Sequence, residues 1–474
     1  MRVNRTATVR ERPEWPVMTN RSLTVTVLLG VIMSRVTKSY DLYRRARELI
    51  PGGTQLLSRR PTKYANGVSP VYAARANGAR IWDVDGNEYI DWVSGIGAII
   101  LGYCDPVVDN AVRDQIGKGV ATSINSELEV ELAEELCRTI PCAEMVRYAK
   151  CGGEACAIAV RIARGVTGRD KVLFCGYHGW HDWYLAANLV AEESLNSHLF
   201  PGIEPIGVPK ALAGTALPFP FGDLAALGQL LDDHKGEVAA VIMEPLRSEQ
   251  PADGYLAGVR KLCDERGVVL IFDEVSSGFR FGMQAAQGFV GVTPDMAVFA
   301  KSMSNGYPMG AVVGKRAVME PAARMFISST YWSDPLGMAA SLATIRELRR
   351  RNVSESLWSF GSELQSRLNA IAGEVGIDVH CGGLAIHPHL EFRSAAADDK
   401  PVLSTLYIQE MAKRGCHGYA SFYLNAAQGP VELEQTAAAA REVFAILRRA
   451  IDSGNAESFL ECPRQQDAFR RLVR

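Results

Sequence analysis

No Cys-x-x-Cys pair occurs among the ten cysteines of this 474-residue chain, and they fall into no regular framework. A reducing, cytoplasmic setting fits that usage best. Charge of one sign is equally scarce, because 51 basic residues face 53 acidic ones and leave a formal net charge of −2. That balance provides no electrostatic footprint for nucleic acid or an anionic membrane. No Gly-Lys-Ser or Gly-Lys-Thr closes a P-loop, and no Gly-x-Gly-x-x-Gly follows a first strand. Internal repeats, low-complexity tracts and long linkers are also missing. His178 with His181, and His387 with His389, stand at spacings a metal could use, but no cysteine or third ligand sits at a supporting offset, so no metal site is expected. What remains is an ordinary globular composition, 47% hydrophobic and 22% charged, long enough to bury a full-sized core without disulfides or metals.

One segment stands apart. Ser22 to Met33 is apolar or neutral throughout and follows Arg2, Arg5, Arg10, Arg12 and Arg21, like the front of a secretory signal. It is too short to span a bilayer, and no small-residue cleavage site follows, since Ser34, Arg35, Val36, Thr37 and Lys38 come next. The expectation is a natural start at Met33, with residues 1–32 an extension.

Beyond it, Tyr40 to Ile50 reads as a short amphipathic helix stopped by Pro51-Gly52-Gly53. Ala79 to Asp91 alternates around Asp85-Gly86, a hairpin signal. Ser126 with Glu129 forms a capping box for a helix reaching Ile140. The middle of the chain then repeats one theme: an apolar run of strand length, a polar residue at its end, then a helix. Met145–Ala149 runs into Cys151-Gly152-Gly153, Lys171–Phe174 into Gly176-Tyr177-His178-Gly179, and Val238–Met243 into Glu244. Val268–Phe272 runs into Asp273, and Met296–Ala300 into Lys301. Such alternation predicts an α/β fold with a mostly parallel sheet between helices. Past Pro335 the helices lengthen, which suggests a smaller α+β domain built from both chain ends. The division expected is 33–95 and 336–474 for the small domain and 96–335 for the large one.

In an open parallel sheet, ligands bind beyond the carboxyl ends of the strands. Glu244, Asp273 and Lys301 all fall at such ends, although an acid there can equally cap the next helix. Cys151-Gly152-Gly153-Glu154 joins a strand to a helix, so its backbone N–H groups can form an anion site. Tyr177 offers an aromatic face nearby. A phosphate cradle, a flat ring, an acid and a lysine together suggest pyridoxal 5′-phosphate (PLP). That cofactor needs a lysine for its Schiff base and an acid to keep its pyridine nitrogen protonated.

Here the sequence resembles the class III (fold type I) PLP-dependent aminotransferases, and within them the glutamate-1-semialdehyde 2,1-aminomutase-like branch. The resemblance runs from about Tyr40 to Asp452. It is carried by Ile271-Phe272-Asp273-Glu274-Val275 with Gly278-Phe279-Arg280, and by Ala300-Lys301 with Asn305-Gly306-Tyr307-Pro308-Met309-Gly310-Ala311. The motifs beginning at Pro51, Asp83 and Tyr177 add to it. The resemblance implies that Lys301 holds the cofactor as a Schiff base and shuttles the α-proton, and that Asp273 pairs with the pyridine nitrogen. It implies that Val275 packs on one ring face and Tyr177 on the other, with His178 and Glu244 close by. Gly152 and Gly153 would hold the phosphate, and Thr330 would reach the phosphate of a neighbouring subunit, making a homodimer with shared active sites. An amino donor and a carbonyl acceptor would be the small-molecule partners.

Three departures stand out. The family's phosphate motif is usually Ser-Gly-Thr or Ser-Gly-Ser before Glu-Ala, whereas here it reads Cys151-Gly152-Gly153-Glu154-Ala155, with two hydroxyl donors missing. The usual Gly-Asn-Pro becomes Ser333-Asp334-Pro335. The aminomutase's tryptophan aligns with Ile96, its C-terminal Pro-Ser-x-x-Glu is not recognisable around Tyr419 to Asn425, and after Pro-Gly-Gly only Arg59 survives. Arg59 is therefore the candidate clamp for a substrate carboxylate. The expected activity is aminotransfer. An intramolecular aminomutase and an amino-acid epimerase are the alternatives within the family, and an inactive cofactor-bound scaffold is the alternative outside enzymes.

Overall fold

The computed structural model describes residues 36–191, 193–246, 249–393 and 399–466. The apolar segment Ser22–Met33 and the expected start at Met33 lie outside these residues. Among the described residues, no helix is long and apolar enough to cross a membrane.

Seven strands form the central sheet, in the order Met145–Ala149, Gly310–Gly314, Met296–Phe299, Val269–Asp273, Val238–Met243, Lys171–Cys175, Ala216–Pro218. All neighbours are parallel except Gly310–Gly314, which runs antiparallel to both strands beside it. The inner strands are apolar on both faces, as helix-covered parallel strands must be. Val238–Met243 is buried at every position. Helices including Gly152–Thr167 and Tyr255–Arg266 complete the layers. The expected strand at Val268–Phe272 begins and ends one residue later, so Asp273 is the last residue of the strand rather than the first beyond it. Gly310–Gly314 and the edge strand Ala216–Pro218 were not expected.

A second sheet joins the two ends of the chain. Arg80–Asp83 and Glu88–Asp91 form the hairpin around Asp85-Gly86, Ala73–Asn77 pairs outside it, and Cys416–His417 adds in parallel to Glu88–Asp91. Long helices at Pro335–Arg350, Val353–Val375, Lys400–Lys413 and Pro430–Asp452 dominate the C-terminal third. The capping box forms as expected: Ser126 Oγ accepts from Leu128 N at 3.3 Å and Glu129 reaches back to Ser126 N at 3.2 Å.

Two loops are locked to each other under the sheet's carboxyl edge. Asn305, itself at φ +47°, accepts from Ile100 N and Leu101 N at 2.9 Å each and donates to Gly102 O at 3.0 Å. Its side chain is buried, so removing it strands three backbone groups. Asn305→Ala is expected to cost about 3 kcal/mol of stability, measured by denaturant unfolding. A loss below about 1 kcal/mol would mean that water replaces the amide.

Candidate active site

Asp273 ends its strand buried beneath the crevice. Its Oδ1 accepts from Val275 N at 3.0 Å. Its Oδ2 is 2.7 Å from His178 Nδ1 and 3.3 Å from Cys156 Sγ. Burial, and then the Asp273 charge, push the Cys156 thiol well above its ordinary pKa, so it serves as a neutral donor. Glu274, next in sequence, points the other way and is fully buried. It accepts from Ala286 N at 2.6 Å and from Gln287 N and Nε2 at 3.2 and 3.0 Å, which ties down the loop behind the site.

Lys301 begins a short turn at Lys301–Ser304 with φ +48°, a left-handed conformation that costs a non-glycine residue about 1–3 kcal/mol. Its Nζ donates to Ser276 Oγ at 2.8 Å. Burial lowers the Lys301 pKa, the charges of Glu244 and Asp273 pull it back up, and Arg280 lowers it again. Both carboxylates therefore act on the amine, as their strand-end placement implied. Glu244 also accepts from Tyr177 N at 3.3 Å.

The opposite end of the crevice is the start of helix Gly152–Thr167, whose first N–H groups have no intrahelical acceptor. Glu154 accepts from Lys150 N and Cys151 N at 2.8 and 3.2 Å and leaves the turn at Gly152 and Gly153 facing outward. A Cβ on Gly152 would stand 2.8 Å from both Val275 methyls. Asp273, Val275 and the glycine turn therefore line one continuous wall. Tyr177 is exposed at the rim.

Residues from both ends of the chain close the other side. Ser94 to Gly97 is a left-handed turn with φ of +48°, +59°, +60° and +74°, and the third residue is the β-branched Ile96. It is held by Ser94 Oγ donating to Tyr423 O at 2.6 Å, by Asn425 Nδ2 donating to Ser94 Oγ at 2.9 Å, and by Arg280. The buried Arg280 guanidinium donates to Gly97 O at 2.7 Å and Leu424 O at 2.9 Å. His387 packs against Tyr423 in a tilted arrangement, 4.2 Å between centroids with 35° between planes. Burial, with the Arg280, His389 and Lys301 charges, pushes its pKa down to about 3, so it is neutral.

Of the residues read from sequence, Asp273, His178, Val275, Gly152, Gly153, Tyr177, Glu244 and Lys301 come together here. Arg59 lies exposed on the turn Leu57–Arg59, near enough for its charge to act on Tyr64, Tyr103 and Tyr419. Thr330 is exposed at the start of the turn Thr330–Ser333. Sequence reasoning missed Cys156, Ser276 and the wall residue Tyr423, and met His387 only as half of a histidine pair. It met Arg280 only as part of a motif. A cysteine at the fifth residue of the helix Gly152–Thr167, or a serine three residues past Asp273, carries no pattern by which it could be found.

A buried acid, an amine and a glycine-rich helix start around one crevice define a PLP-dependent transferase of fold type I, and the side chains fit the group. Asp273 could pair with a ring nitrogen, Val275 could pack on a ring face, Lys301 could take a carbonyl carbon and the glycine turn could hold a phosphate. The class-III aminotransferase family model matches residues 63–411, and the chain belongs to that family. It is similar to the 3-aminobutyryl-CoA aminotransferase of Cloacimonas acidaminovorans (34% identity; 81% of this chain, 92% of the relative). It is also similar to the glutamate-1-semialdehyde 2,1-aminomutase of Syntrophobacter fumaroxidans (35% identity; 86% and 97%). Among solved structures it resembles the PLP internal aldimine form of the FumI protein of Sphingopyxis sp. MTA144, at TM-score 0.79 and 27% identity (90% and 100% covered). An omega-transaminase from Sphaerobacter thermophilus matches at TM-score 0.76 and 30% identity (86% and 98%). The chain is accordingly a PLP-dependent enzyme of amino-group transfer.

Proposed function

We propose that the reaction runs as a two-substrate aminotransfer at the crevice bounded by Asp273, Lys301 and the Gly152-Gly153 turn, and that the observation carrying this is the buried Lys301 amine flanked by Asp273 and Glu244. When bound, PLP supplies a carbonyl for the donor nitrogen and a ring that withdraws the electrons released at the α-carbon. Asp273, its carboxylate fixed by His178 and Cys156, would hold the proton on the ring nitrogen by direct ion pairing. Lys301 Nζ, held by Ser276 at 2.8 Å, would be the base that takes and returns the proton at the substrate's α-carbon. Val275 and Tyr177 would pack on the two faces of the ring, Gly152 and Gly153 would donate N–H groups to the phosphate, and Glu244 would lie near the lysine. Arg59, exposed on the turn Leu57–Arg59, would take the substrate carboxylate.

The wall built by Ile96, His387 and Tyr423 supports aminotransfer over the aminomutase alternative. The aminomutase branch places tryptophan and Pro-Ser-x-x-Glu at the corresponding stretches. Titrating the holoenzyme with amino donors tests the choice. Loss of the cofactor's visible band with one keto or aldehyde product per site is expected; conversion to an isomer without carbonyl release would establish the aminomutase or epimerase instead.

The small domain, on this reading, is 33–95 with 336–474, joined by the sheet that Cys416–His417 shares with Glu88–Asp91, and the large domain is 96–335. The active unit is a homodimer. Thr330 sits between Phe326 and Tyr331, which are 83% and 66% exposed, a concentration of apolar surface that a second copy would cover while bringing Thr330 to its phosphate. Light scattering should give twice 51.6 kDa, and a stable, active monomer would refute the shared site.

A pH dependence follows from Lys301. Capture of PLP by the apoprotein needs the unprotonated amine, so its rate rises with pH. Because burial lowers the Lys301 pKa, the rise should level off below the pKa of about 10.4 of an ordinary lysine. Glu244 holds the proton on, so Glu244→Gln should move the midpoint lower still. Stopped-flow reconstitution across pH reads both, and a midpoint unmoved by the substitution would remove Glu244 from the lysine's surroundings.

A further inference from the structure

Two serines follow Val275, and their hydroxyls have different partners. Ser277 is buried and donates from Oγ to Glu274 Oε2 at 3.2 Å, on the side of the loop behind the site. Ser276 is half-buried and accepts from Lys301 Nζ at 2.8 Å. Among the described residues the amine has no other hydrogen-bond partner, while Glu244, Asp273 and Arg280 act on it through charge. The turn that carries Ser276 is fixed on both sides. Val275 N donates to Asp273 Oδ1 at 3.0 Å, and Gly278 N donates to Glu274 O at 2.7 Å. A Cβ at position 278 would stand 2.7 Å from both Glu274 O and Phe299 Cδ1, so the turn closes only over glycine. The lysine turn is tied to it directly: Ser302, next to Lys301, donates from Oγ to Gly278 O at 2.7 Å. Ser276 and Lys301 therefore face each other from two turns that cannot drift apart.

A lysine side chain is long and flexible, and without a partner its amine samples many positions. A serine hydroxyl is both donor and acceptor, so it can pair with the ammonium and with the neutral amine alike. We infer that Ser276 is the positioning residue for Lys301, its hydroxyl holding Nζ for attack on the cofactor's carbonyl carbon. In that step the amine nitrogen bonds the carbon and the carbonyl oxygen leaves as water. The inference rests on the reading that Lys301 is the reacting amine and adds to it what aims that amine. Ser276 acts through Nζ and touches no reacting atom of the cofactor itself. The adjacent serines thus divide their tasks, Ser276 serving the reaction and Ser277 the fold.

Stopped-flow capture of PLP by the apoprotein tests this. Growth of the cofactor's visible band is resolved into a half-saturating PLP concentration and a first-order rate at saturation, with melting temperature read alongside. Ser276→Ala should slow the first-order rate about tenfold, because the amine loses its orientation, and leave the half-saturating concentration within about twofold. Ser276→Thr, which keeps the hydroxyl, should stay within about threefold of wild type. Ser277→Ala should lower the melting temperature and leave the first-order rate within about twofold. In Lys301→Ala, which has no amine to aim, equilibrium binding of PLP should be the same with and without Ser276→Ala. An unchanged first-order rate in Ser276→Ala, or an equal fall in Ser276→Thr or Ser277→Ala, would overturn the assignment. Weaker binding on adding Ser276→Ala to Lys301→Ala would overturn it too, by placing the hydroxyl on the cofactor rather than on the amine. A Lys301→Ala apoprotein that develops the same band at the wild-type rate would overturn the reading of Lys301 instead.

Discussion

Lys301→Ala is expected to lower turnover by about ten-thousandfold or more while leaving the fold intact. The side chain supplies two separate things, a nucleophilic amine that receives the carbonyl and a base that moves the α-proton, and each is worth about 10²–10⁴. Position 301 has the left-handed φ of +48°, which alanine tolerates no worse than lysine, so stability should change little. Lys301→Arg is the sharper variant, because it keeps a cation beside Glu244 and Asp273 but can neither deprotonate nor react. Turnover in Lys301→Arg within about tenfold of wild type would show that the amine is not the reacting group.

Asp273→Asn has the second-largest expected effect, a loss of about 10³ in turnover, because an amide cannot hold the ring nitrogen protonated. Its supporting donors should cost less. Replacing His178 by Asn or Cys156 by Ala leaves the carboxylate in place and loosens its Oδ2, each expected at about tenfold. In the Asp273→Asn background, further loss from Cys156→Ala should vanish, since the thiol acts only through that carboxylate. Additive losses would mean that Cys156 reaches the reaction by another route.

The strand ends were legible because the physics there is local. A run too apolar for the surface must be a buried strand, and a charged residue at its end must lie on the rim, which is how Asp273, Glu244 and Lys301 are legible in the sequence. The hairpin at Asp85-Gly86 and the capping box at Ser126 and Glu129 were readable for the same reason. Gly310–Gly314 was not, because a five-residue antiparallel strand flanked by glycines and buried on both faces shows neither alternation nor a turn signal. The turn Ser94–Gly97 ran against propensity outright: nothing in a sequence announces a β-branched Ile96 at φ +60°, a conformation sustained by Arg280, Tyr423 and Asn425, all distant in the chain.

The central claim is that Lys301 is the residue that takes the cofactor at a site defined by Asp273 and the Gly152-Gly153 turn. Borohydride reduction of the holoenzyme followed by mass mapping of its peptides tests this most directly. The account predicts one pyridoxyl group per chain, fixed on Lys301. A pyridoxyl group on any other lysine, or a chain that carries none after reconstitution with PLP, would contradict it.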